Sequence, residues 1–291
     1  WQVRKGTFPA VGAVRKPGTT VIIEDVAVAV PMLAACCLDL QKLFAKHGYH
    51  EAIIFGHALE GNVHFVFTQD FGIESEVARY AVFMDEVCGM LVEKYDGSLK
   101  AEHGTGRNMA PFVELEWGSD AYQLMWTIKH LLDPHGILNP DVVLSVDPQI
   151  HLKHLKPLPA ADEIVDKCIE CGFCEPVCPA KGLTLSPRQR IVIWRDIQAK
   201  QRVGIDTTEL EQAYQYQGID TCAATGLCAQ RCPVGINTGD LVRKLRARDA
   251  HHAGTANWLA GHFANALAGT RLTLMAANGV RQLLGAPRLA K

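Results

Sequence analysis

The feature that most constrains this chain is the placement of its cysteines. Seven of the ten cysteines fall in two short runs in the second half of the sequence. The first run, residues 168–179, reads Cys-Ile-Glu-Cys-Gly-Phe-Cys-Glu-Pro-Val-Cys-Pro. This C-x2-C-x2-C-x3-C-P spacing is typical of loops that hold a cubane iron–sulfur cluster, and its fourth cysteine commonly serves a second cluster. The run therefore predicts an electron-transfer site with these ligands: Cys168, Cys171, Cys174 and, for the second cluster, Cys178.

Two other uses of these cysteines compete with the cluster. Zinc is also held by C-x2-C pairs, but four cysteines followed by Pro179 favour a cluster. Disulfides are disfavoured more strongly, because adjacent C-x2-C thiols in a chain that we expect to be intracellular favour metal or redox chemistry. The cysteine runs also predict a reducing compartment.

The second run, residues 222–233, has the spacing C-x5-C-x3-C-P, with Thr225 in place of a second cysteine. A threonine hydroxyl is a poor ligand for a soft metal, so this run offers three thiolates. If the runs exchange their last cysteines, two ligand sets result: Cys168, Cys171, Cys174 and Cys232, and Cys178, Cys222 and Cys228. The second set suits a three-iron cluster, or a four-iron cluster with one corner that lacks a cysteine. The alternative is that the second run holds no cluster and its cysteines are buried.

Length and composition divide the chain. At 291 residues it is long enough for two domains, and the Pro-rich, polar segment 147–163 is the predicted linker. We predict a substrate or cap domain over 1–146, a helical iron–sulfur domain over 164–250 and a helical tail over 251–291.

The net charge of −2 argues against a nucleic-acid partner, and no apolar run reaches the roughly 18 residues of a membrane span. Because the chain starts at Trp1 rather than Met, we expect it to be a piece of a longer protein.

The first part alternates strands and helices. Strands are predicted at 21–28, 52–55, 64–67 and 97–100, and helices at 31–47, 74–95 and 119–132. The order β-α-β-β-α-β-α predicts an α+β fold, a ferredoxin-like sandwich. In the second part, residues 186–198 read as a helix with Ser186 as N-cap and Pro187 in its first turn. The Ala-rich residues 255–291 are expected to form helices that pack on their own protein.

Two histidines flank a predicted turn between two strands. Residues 56–64 read Gly-His-Ala-Leu-Glu-Gly-Asn-Val-His. A two-residue turn at Glu60 and Gly61 would make His57 and His64 direct cross-strand partners, with Cβ atoms about 5 Å apart. Imidazoles at that distance could share a metal ion, whereas the plainer interpretation is two ordinary strand histidines.

A second polar segment, Ala-Glu-His-Gly-Thr-Gly-Arg, occupies residues 101–107. Glu102 could complete a site of two histidines and one carboxylate, a donor set that suits zinc, manganese or iron. His103 could act as a general base, because its ordinary pKa of about 6.5 suits proton removal near neutral pH. The alternative is a polar loop that binds nothing. Gly104 and Gly106 fall short of a dinucleotide-binding fingerprint, which excludes a Rossmann interpretation.

Three motifs, taken in order, make residues 1–145 resemble the C-terminal cap domain of FAD-linked oxidases of the D-lactate and D-2-hydroxyglutarate dehydrogenase type. The motifs are His57 to His64, Glu102 to Gly106, and Leu-Asp-Pro-His-Gly-Ile-Leu-Asn-Pro at 132–140. Leu59 and Glu60 stand where many relatives have Gly and Asp, and neither difference removes a ligand. The cysteine runs, followed by Pro-Val-Gly-Ile-Asn-Thr-Gly at 233–239, resemble the α-helical ferredoxin domain of the iron–sulfur subunit of succinate dehydrogenase.

The resemblance implies roles for individual positions. The residues that match ligands of a divalent metal, zinc or manganese, are His57, His64 and Glu102. The residue that matches the catalytic base is His103. The residues that match substrate-contacting positions are Arg4, Lys16 and Asn62. The residue that matches a position against the flavin is Asn139. The chemistry agrees, because a metal polarises a 2-hydroxyl group and an arginine suits bidentate capture of a carboxylate.

The resemblance also implies a function. We expect part of a flavin-dependent D-2-hydroxyacid dehydrogenase that oxidises 2-hydroxyglutarate or lactate to the 2-oxo acid. Electrons would pass from FAD through a 4Fe-4S cluster and a second, 3Fe-4S or 4Fe-4S, cluster to a quinone or a carrier protein. The FAD-binding domain would lie upstream in the parent protein, so the chain alone would be inactive. We expect a cytoplasmic protein, peripheral at the inner membrane face.

Two other functions remain open from the sequence. One is a non-catalytic iron–sulfur electron-transfer subunit, in which residues 1–145 would be structural only. The other is a metal-dependent hydrolase built on the same histidines, which would leave the seven cysteines of the two runs without a use.

Overall fold

The chain forms two compact units, residues 1–242 and 243–291. The computed structural model describes residues 14–248 and 253–284, together with residues 8, 11 and 12. The domain boundaries predicted at residues 146, 163 and 250 stay predictions.

The elements follow the predicted order closely. The described strands are β1 Thr20–Ala27, β2 Ile53–His57 and β3 Asn62–Gln69. The described α-helices are α1 Leu33–Lys46, α2 Glu74–Gly89, α3 Val113–Trp117, α4 Ser119–Leu132, α5 Pro187–Arg202, α6 Thr208–Tyr214, α7 Leu227–Arg231, α8 Thr238–Arg248, α9 Ala253–Gly261 and α10 Phe263–Leu284. Helix α2 continues into the π-helical turn Met90–Lys94, and α6 into Gln215–Asp220.

The three strands form one antiparallel sheet with β3 in its centre, in the order β1-β3-β2. Side chains alternate along β3, so Phe65 and Phe67 share one face while His64 lies on the other. The aromatic face packs on helices α1 and α2, where the ring centroids of Phe44 and Phe83 lie 5.6 and 6.5 Å from that of Phe65. This apolar core covers one face of the sheet and leaves the opposite face for polar residues.

The segment 97–100, predicted as a fourth strand, does not form one. Ser98 alone pairs with the sheet, through hydrogen bonds of 2.8 and 3.0 Å to Ala27. Beyond Ser98 the backbone makes other contacts: the N–H of Leu99 donates to the Glu116 carboxylate at 3.2 Å, and the Lys100 side chain forms a buried ion pair with Glu24 of β1. The first part is therefore an α+β domain, as predicted, but the described residues form a three-stranded sheet rather than the complete sandwich.

Helix α5 begins where the sequence predicts. The Ser186 hydroxyl accepts the backbone N–H of Gln189 at 3.3 Å, and the Gln189 side chain accepts the Ser186 N–H at 2.8 Å, which together make a capping box. Pro187 occupies the first turn, where its missing N–H leaves no bond unmade. The inner face of α5 carries Ile191 and Ile197, both buried. The region of the cysteine runs is helical, as predicted.

Helices α9 and α10 cover most of the predicted helical tail. Their large apolar side chains are exposed, with Trp258, Phe263 and Leu272 at 58%, 66% and 68%. The expected packing of this tail on its own protein stays a prediction. Over the described part of the chain, no helix combines the length and the apolar character needed to cross a membrane.

Candidate metal centre and cluster cavities

The turn between β2 and β3 brings the two histidines together in a different register from the predicted one. His57 pairs with Asn62, and His64 pairs with Phe55, so His57 and His64 are diagonal rather than direct partners. The prediction of a two-residue turn is wrong, because Ala58–Glu60 forms a 3-10 turn before Gly61. The diagonal arrangement still places both rings on one face, with centroids 5.5 Å apart.

Glu102 approaches both histidines. Its Oε1 atom lies 3.2 Å from Nε2 of His57 and 2.9 Å from Nε2 of His64. The ring nitrogens of His64 are buried and neither has a hydrogen bond of acceptable geometry. Burial lowers the pKa of His64, and the neighbouring His103 adds to this effect. A buried imidazole without a hydrogen bond, beside a second imidazole and a carboxylate, is a donor set that fits a divalent cation such as zinc or manganese.

His103 lies beside this donor set and is held by a buried carboxylate. Its ring stacks on that of His64, with centroids 4.9 Å apart. Asp25 of β1 is fully buried, and its Oδ2 accepts the backbone N–H groups of Glu102 at 2.6 Å and His103 at 3.2 Å. Its Oδ1 lies 3.5 Å from Nδ1 of His103. Asp25 thus fixes the backbone that carries both residues.

Asn62 lies next to the histidines at the start of β3. Only 6% of its surface is exposed, yet neither polar atom of its side chain has a hydrogen-bond partner in the described structure. It lines an open depression together with His57, Glu60 and Glu102. A buried amide without a partner costs free energy unless another molecule satisfies it. Its environment therefore fits a position that contacts a polar ligand.

Of the other predicted substrate contacts, the described residue Lys16 is not brought to the histidines. Lys16 lines a separate depression with Glu51 and Thr68, at the opposite end of the sheet from His57. Arg4 lies outside the described residues.

Asn139 stands in an exposed loop that Asp133 organises. The Asp133 carboxylate accepts the backbone N–H groups of Ile137 and Leu138, both at 2.9 Å, and the ammonium of Lys129 at 2.6 Å. The bond from Lys129 and these two backbone bonds lower the pKa of Asp133 to about 2. The backbone of Asn139 is left-handed, with a φ of 43°. Farther along this loop, the N–H of residue 143 donates to the Gly106 carbonyl, which ties the loop to the histidine segment.

The seven cysteines of the two runs line two cavities. One is lined by Cys168, Cys171, Cys174 and Cys232. The other is lined by Cys178, Cys222 and Cys228, with Thr225 on its wall. Burial raises the pKa of the Cys174 thiol to about 12, and the neighbouring Cys168 adds to this effect. The grouping matches the exchanged ligand sets, and Thr238 lines both cavities.

Buried arginines surround the cysteine loops. Arg15 and Arg195 both donate to the carbonyl of Cys168, at 3.1 and 2.8 Å. Arg195 also pairs with Glu170 at 3.0 Å. At the other cavity, Arg190 is 1% exposed and donates to the sulfur of Cys178 at 3.8 Å. These contacts hold the loops in place and put positive charge next to thiol groups.

Comparison with known families assigns both parts of the chain. Residues 1–143 match the family described as FAD linked oxidases, C-terminal domain, and residues 164–236 match the 4Fe-4S dicluster domain. The chain joins a FAD-linked oxidase C-terminal domain to a 4Fe-4S dicluster domain. The first domain brings the histidines and Glu102, and the second brings both cysteine runs.

Curated relatives of the chain are hydroxyacid oxidoreductases by name. They include the glycolate oxidase subunit GlcD of Bacillus subtilis, 29% identical over 47% of this chain and 29% of the relative. A probable mitochondrial D-2-hydroxyglutarate dehydrogenase of Oryza sativa is 31% identical over 50% of this chain and 24% of the relative. A D-lactate dehydrogenase of Anaerostipes hadrus is 30% identical over 48% and 29%. The chain spans less than a third of the length of these relatives.

Sequence reasoning missed two residues of the FAD-linked oxidase and dicluster domains. Asp25 gave a signal, because the adjacent acids Glu24 and Asp25 inside an otherwise apolar strand indicate buried partners. Arg190 gave a weaker signal, since Pro-Arg-Gln-Arg at 187–190 reads as an ordinary solvated helix start. Its burial depends on how helix α5 packs against the turn at 217–221, which the sequence pattern does not specify.

Proposed function

We propose that this chain supplies the metal-dependent substrate site and the electron outlet of a flavin-dependent D-2-hydroxyacid dehydrogenase. The observation that carries the proposal is the convergence of His57, His64 and Glu102 beside His103, within a FAD-linked oxidase C-terminal domain. The relatives named as D-2-hydroxyglutarate and D-lactate dehydrogenases support the substrate class.

The bound groups would supply three kinds of chemistry: a divalent metal polarises the substrate hydroxyl, FAD accepts hydride, and iron–sulfur clusters carry single electrons. In this proposal His57, His64 and Glu102 hold the metal. His103 removes the hydroxyl proton, at a position that Asp25 fixes through the backbone. Asn62 donates its unsatisfied amide N–H to the substrate. Arg4 remains the proposed carboxylate contact.

We propose that Asn139 faces the flavin in an FAD-binding module that covers helix α4. None of the residues of α4 is buried. Its apolar side chains Leu124, Ile128 and Leu131 are 60%, 50% and 78% exposed. An apolar patch that continues into the Asn139 loop is typical of a surface that another domain covers. This placement would put the module next to the segment that carries His103, since the loop bonds to Gly106.

We propose two clusters on the electron path. The cavity with four thiols suits a 4Fe-4S cluster, and the cavity with three suits a 3Fe-4S cluster or a 4Fe-4S cluster with an open corner. The buried Thr238 lines both cavities, so the two clusters would lie close together. The acceptor beyond them would be a quinone or a carrier protein.

The test follows the clusters by EPR after addition of a D-2-hydroxy acid. In the chain alone, D-2-hydroxyglutarate and D-lactate should leave the clusters oxidised, whereas dithionite should reduce them. In the protein that also contains its FAD-binding module, one of the D-acids should reduce the clusters and its L-enantiomer should not. Reduction by the acid in the chain alone would contradict the proposal. The proposal would also be contradicted if dithionite, but no D-2-hydroxy acid, reduced the clusters of the complete protein. That result would favour an iron–sulfur subunit that only transfers electrons.

A further inference from the structure

Arg190 is a buried cation without a counter-charge of its own. All partners of its guanidinium group are neutral: the carbonyl of Gly218 at 2.7 Å, the carbonyl of Gln217 at 3.5 Å, the hydroxyl of Thr221 at 3.3 Å and the sulfur of Cys178 at 3.8 Å. No carboxylate pairs with it among the described residues, although it is 1% exposed. Burial of an unpaired charge is costly, so a cation in this position calls for an anion nearby.

The position of Arg190 in helix α5 increases the free-energy cost of burying its charge. Arg190 stands in the first turn of α5, where the unsatisfied N–H groups already carry partial positive charge. A cation is favoured at the other end of a helix. Both features leave excess positive charge at one point, and that point is the wall of the cavity lined by Cys178, Cys222 and Cys228.

Arg188, two residues earlier, shows the contrast. It lines the four-thiol cavity, but its Nε lies 3.0 Å from a carboxylate oxygen of Glu175, so its charge is balanced within the protein. Arg190 touches a cysteine sulfur directly and has no such partner.

We propose that Arg190 balances the negative charge of the cluster in the three-thiol cavity and raises its reduction potential. This inference depends on the second cluster in the proposed function. The physical reason is that one added electron makes a cluster more negative, and an adjacent buried cation stabilises the reduced form more than the oxidised form. Net charge, hydrogen bonds to sulfur and solvent exposure are the levers that set cluster potentials, and Arg190 supplies the first two. The step is a one-electron uptake, in which no bond forms or breaks.

The test is an EPR-monitored redox titration, with dithionite as reductant, of the anaerobically reconstituted 291-residue chain and three variants. Arg190→Gln removes the charge, Arg190→Lys keeps it, and Arg202→Gln removes a charge from the exposed end of the same helix. In Arg190→Gln the equilibrium constant for electron uptake by the second cluster should fall about tenfold or more, which is about 59 mV for one electron. The reduction potential of the first cluster in Arg190→Gln should equal that of the wild type. Arg190→Lys should shift the potential of the second cluster less than Arg190→Gln does, and Arg202→Gln should shift neither potential.

The outcomes separate this inference from the proposed function. Wild-type chain with a single cluster signal would refute the two-cluster proposal, and the inference would fall with it. If the wild type shows two signals, the inference alone would be overturned by either of two results. The potential of the second cluster would be unchanged in Arg190→Gln, or it would shift equally in Arg190→Gln and Arg190→Lys. Loss of the second signal in Arg190→Gln but not in Arg190→Lys would support the charge-balancing role. Its loss in both variants would point to a structural role and would overturn the inference.

Discussion

Among single residues, Glu102 gives the most direct test of the proposed metal site. It is the only carboxylate that approaches both histidines of the site in the described structure. Glu102→Gln should weaken Mn²⁺ binding by at least the roughly 10–100-fold that loss of a supporting partner costs at metal sites. Calorimetry with Mn²⁺ is the suitable measurement, because the thiols of the cysteine runs prefer softer metals. The exposed Glu93→Gln variant is the control, and equal affinity in both variants would exclude Glu102 as a ligand.

The carboxylate of Asp133 predicts a pH dependence. Its pKa lies near 2 in the folded chain, below its ordinary value of about 3.9, so it stabilises the folded state above about pH 4. This contribution should fade as the pH falls towards 2. Wild-type chain should therefore melt at a higher temperature than Asp133→Asn at pH 6, and the difference should shrink on acidification to about pH 3. A difference that stays constant over this range would show that the charge of Asp133 plays no part.

The sequence predicted some residues of the candidate sites and missed others. His57, His64, Glu102 and His103 were singled out by their motifs, and the structure brings them together. Asp25 and Arg190 act through burial, which depends on packing between segments distant in the chain. Lys16 was matched to a substrate-contacting position by its place in the sequence alone, and the structure places it at the far end of the sheet from His57.

At the level of elements, the turn before β3 joins the two strands that carry His57 and His64. Gly61 is left-handed, with a φ of 66°, and a Cβ atom there would lie 1.9 Å from the Val28 carbonyl oxygen. Gly61→Ala should therefore cost about 3 kcal/mol or more of unfolding free energy, since conformational strain and a backbone clash add together. Gly104→Ala is the matched control, because it has a φ of 73° but nothing within 4 Å. Its cost should be only about 1–2 kcal/mol. Urea unfolding compares the two, and equal losses would contradict the close contact.

The elements were more predictable than their pairing. Hydrophobic periodicity and capping residues are local, so the sequence indicated α4 and the start of α5 closely. The register of the hairpin and the loss of the strand at 97–100 depend on tertiary contacts. A four-residue loop at 58–61 takes the place of the expected two-residue turn, and only Ser98 of the predicted fourth strand pairs with the sheet.

At the level of the whole molecule, Thr225 distinguishes the two cavities. It is exposed on the wall of the three-thiol cavity, so the corresponding corner of a cluster would face solvent. Mild oxidation of wild-type chain should release one iron and produce the EPR signal of a three-iron cluster. Thr225→Cys should resist this loss by supplying a fourth thiolate, whereas Thr225→Ser should behave as wild type. Equal iron loss in all three proteins would show that the open corner is elsewhere.

The central claim for the whole molecule is that one chain holds two separate clusters, with ligands exchanged between the cysteine runs. The most direct measurement is iron and sulfide analysis with EPR on the anaerobically reconstituted chain, compared with Cys171→Ser and Cys222→Ser. We predict two distinct centres in the wild type, loss of the first alone in Cys171→Ser, and loss of the second alone in Cys222→Ser. Stoichiometric binding of zinc in place of iron and sulfide, or loss of both centres in each variant, would contradict the account.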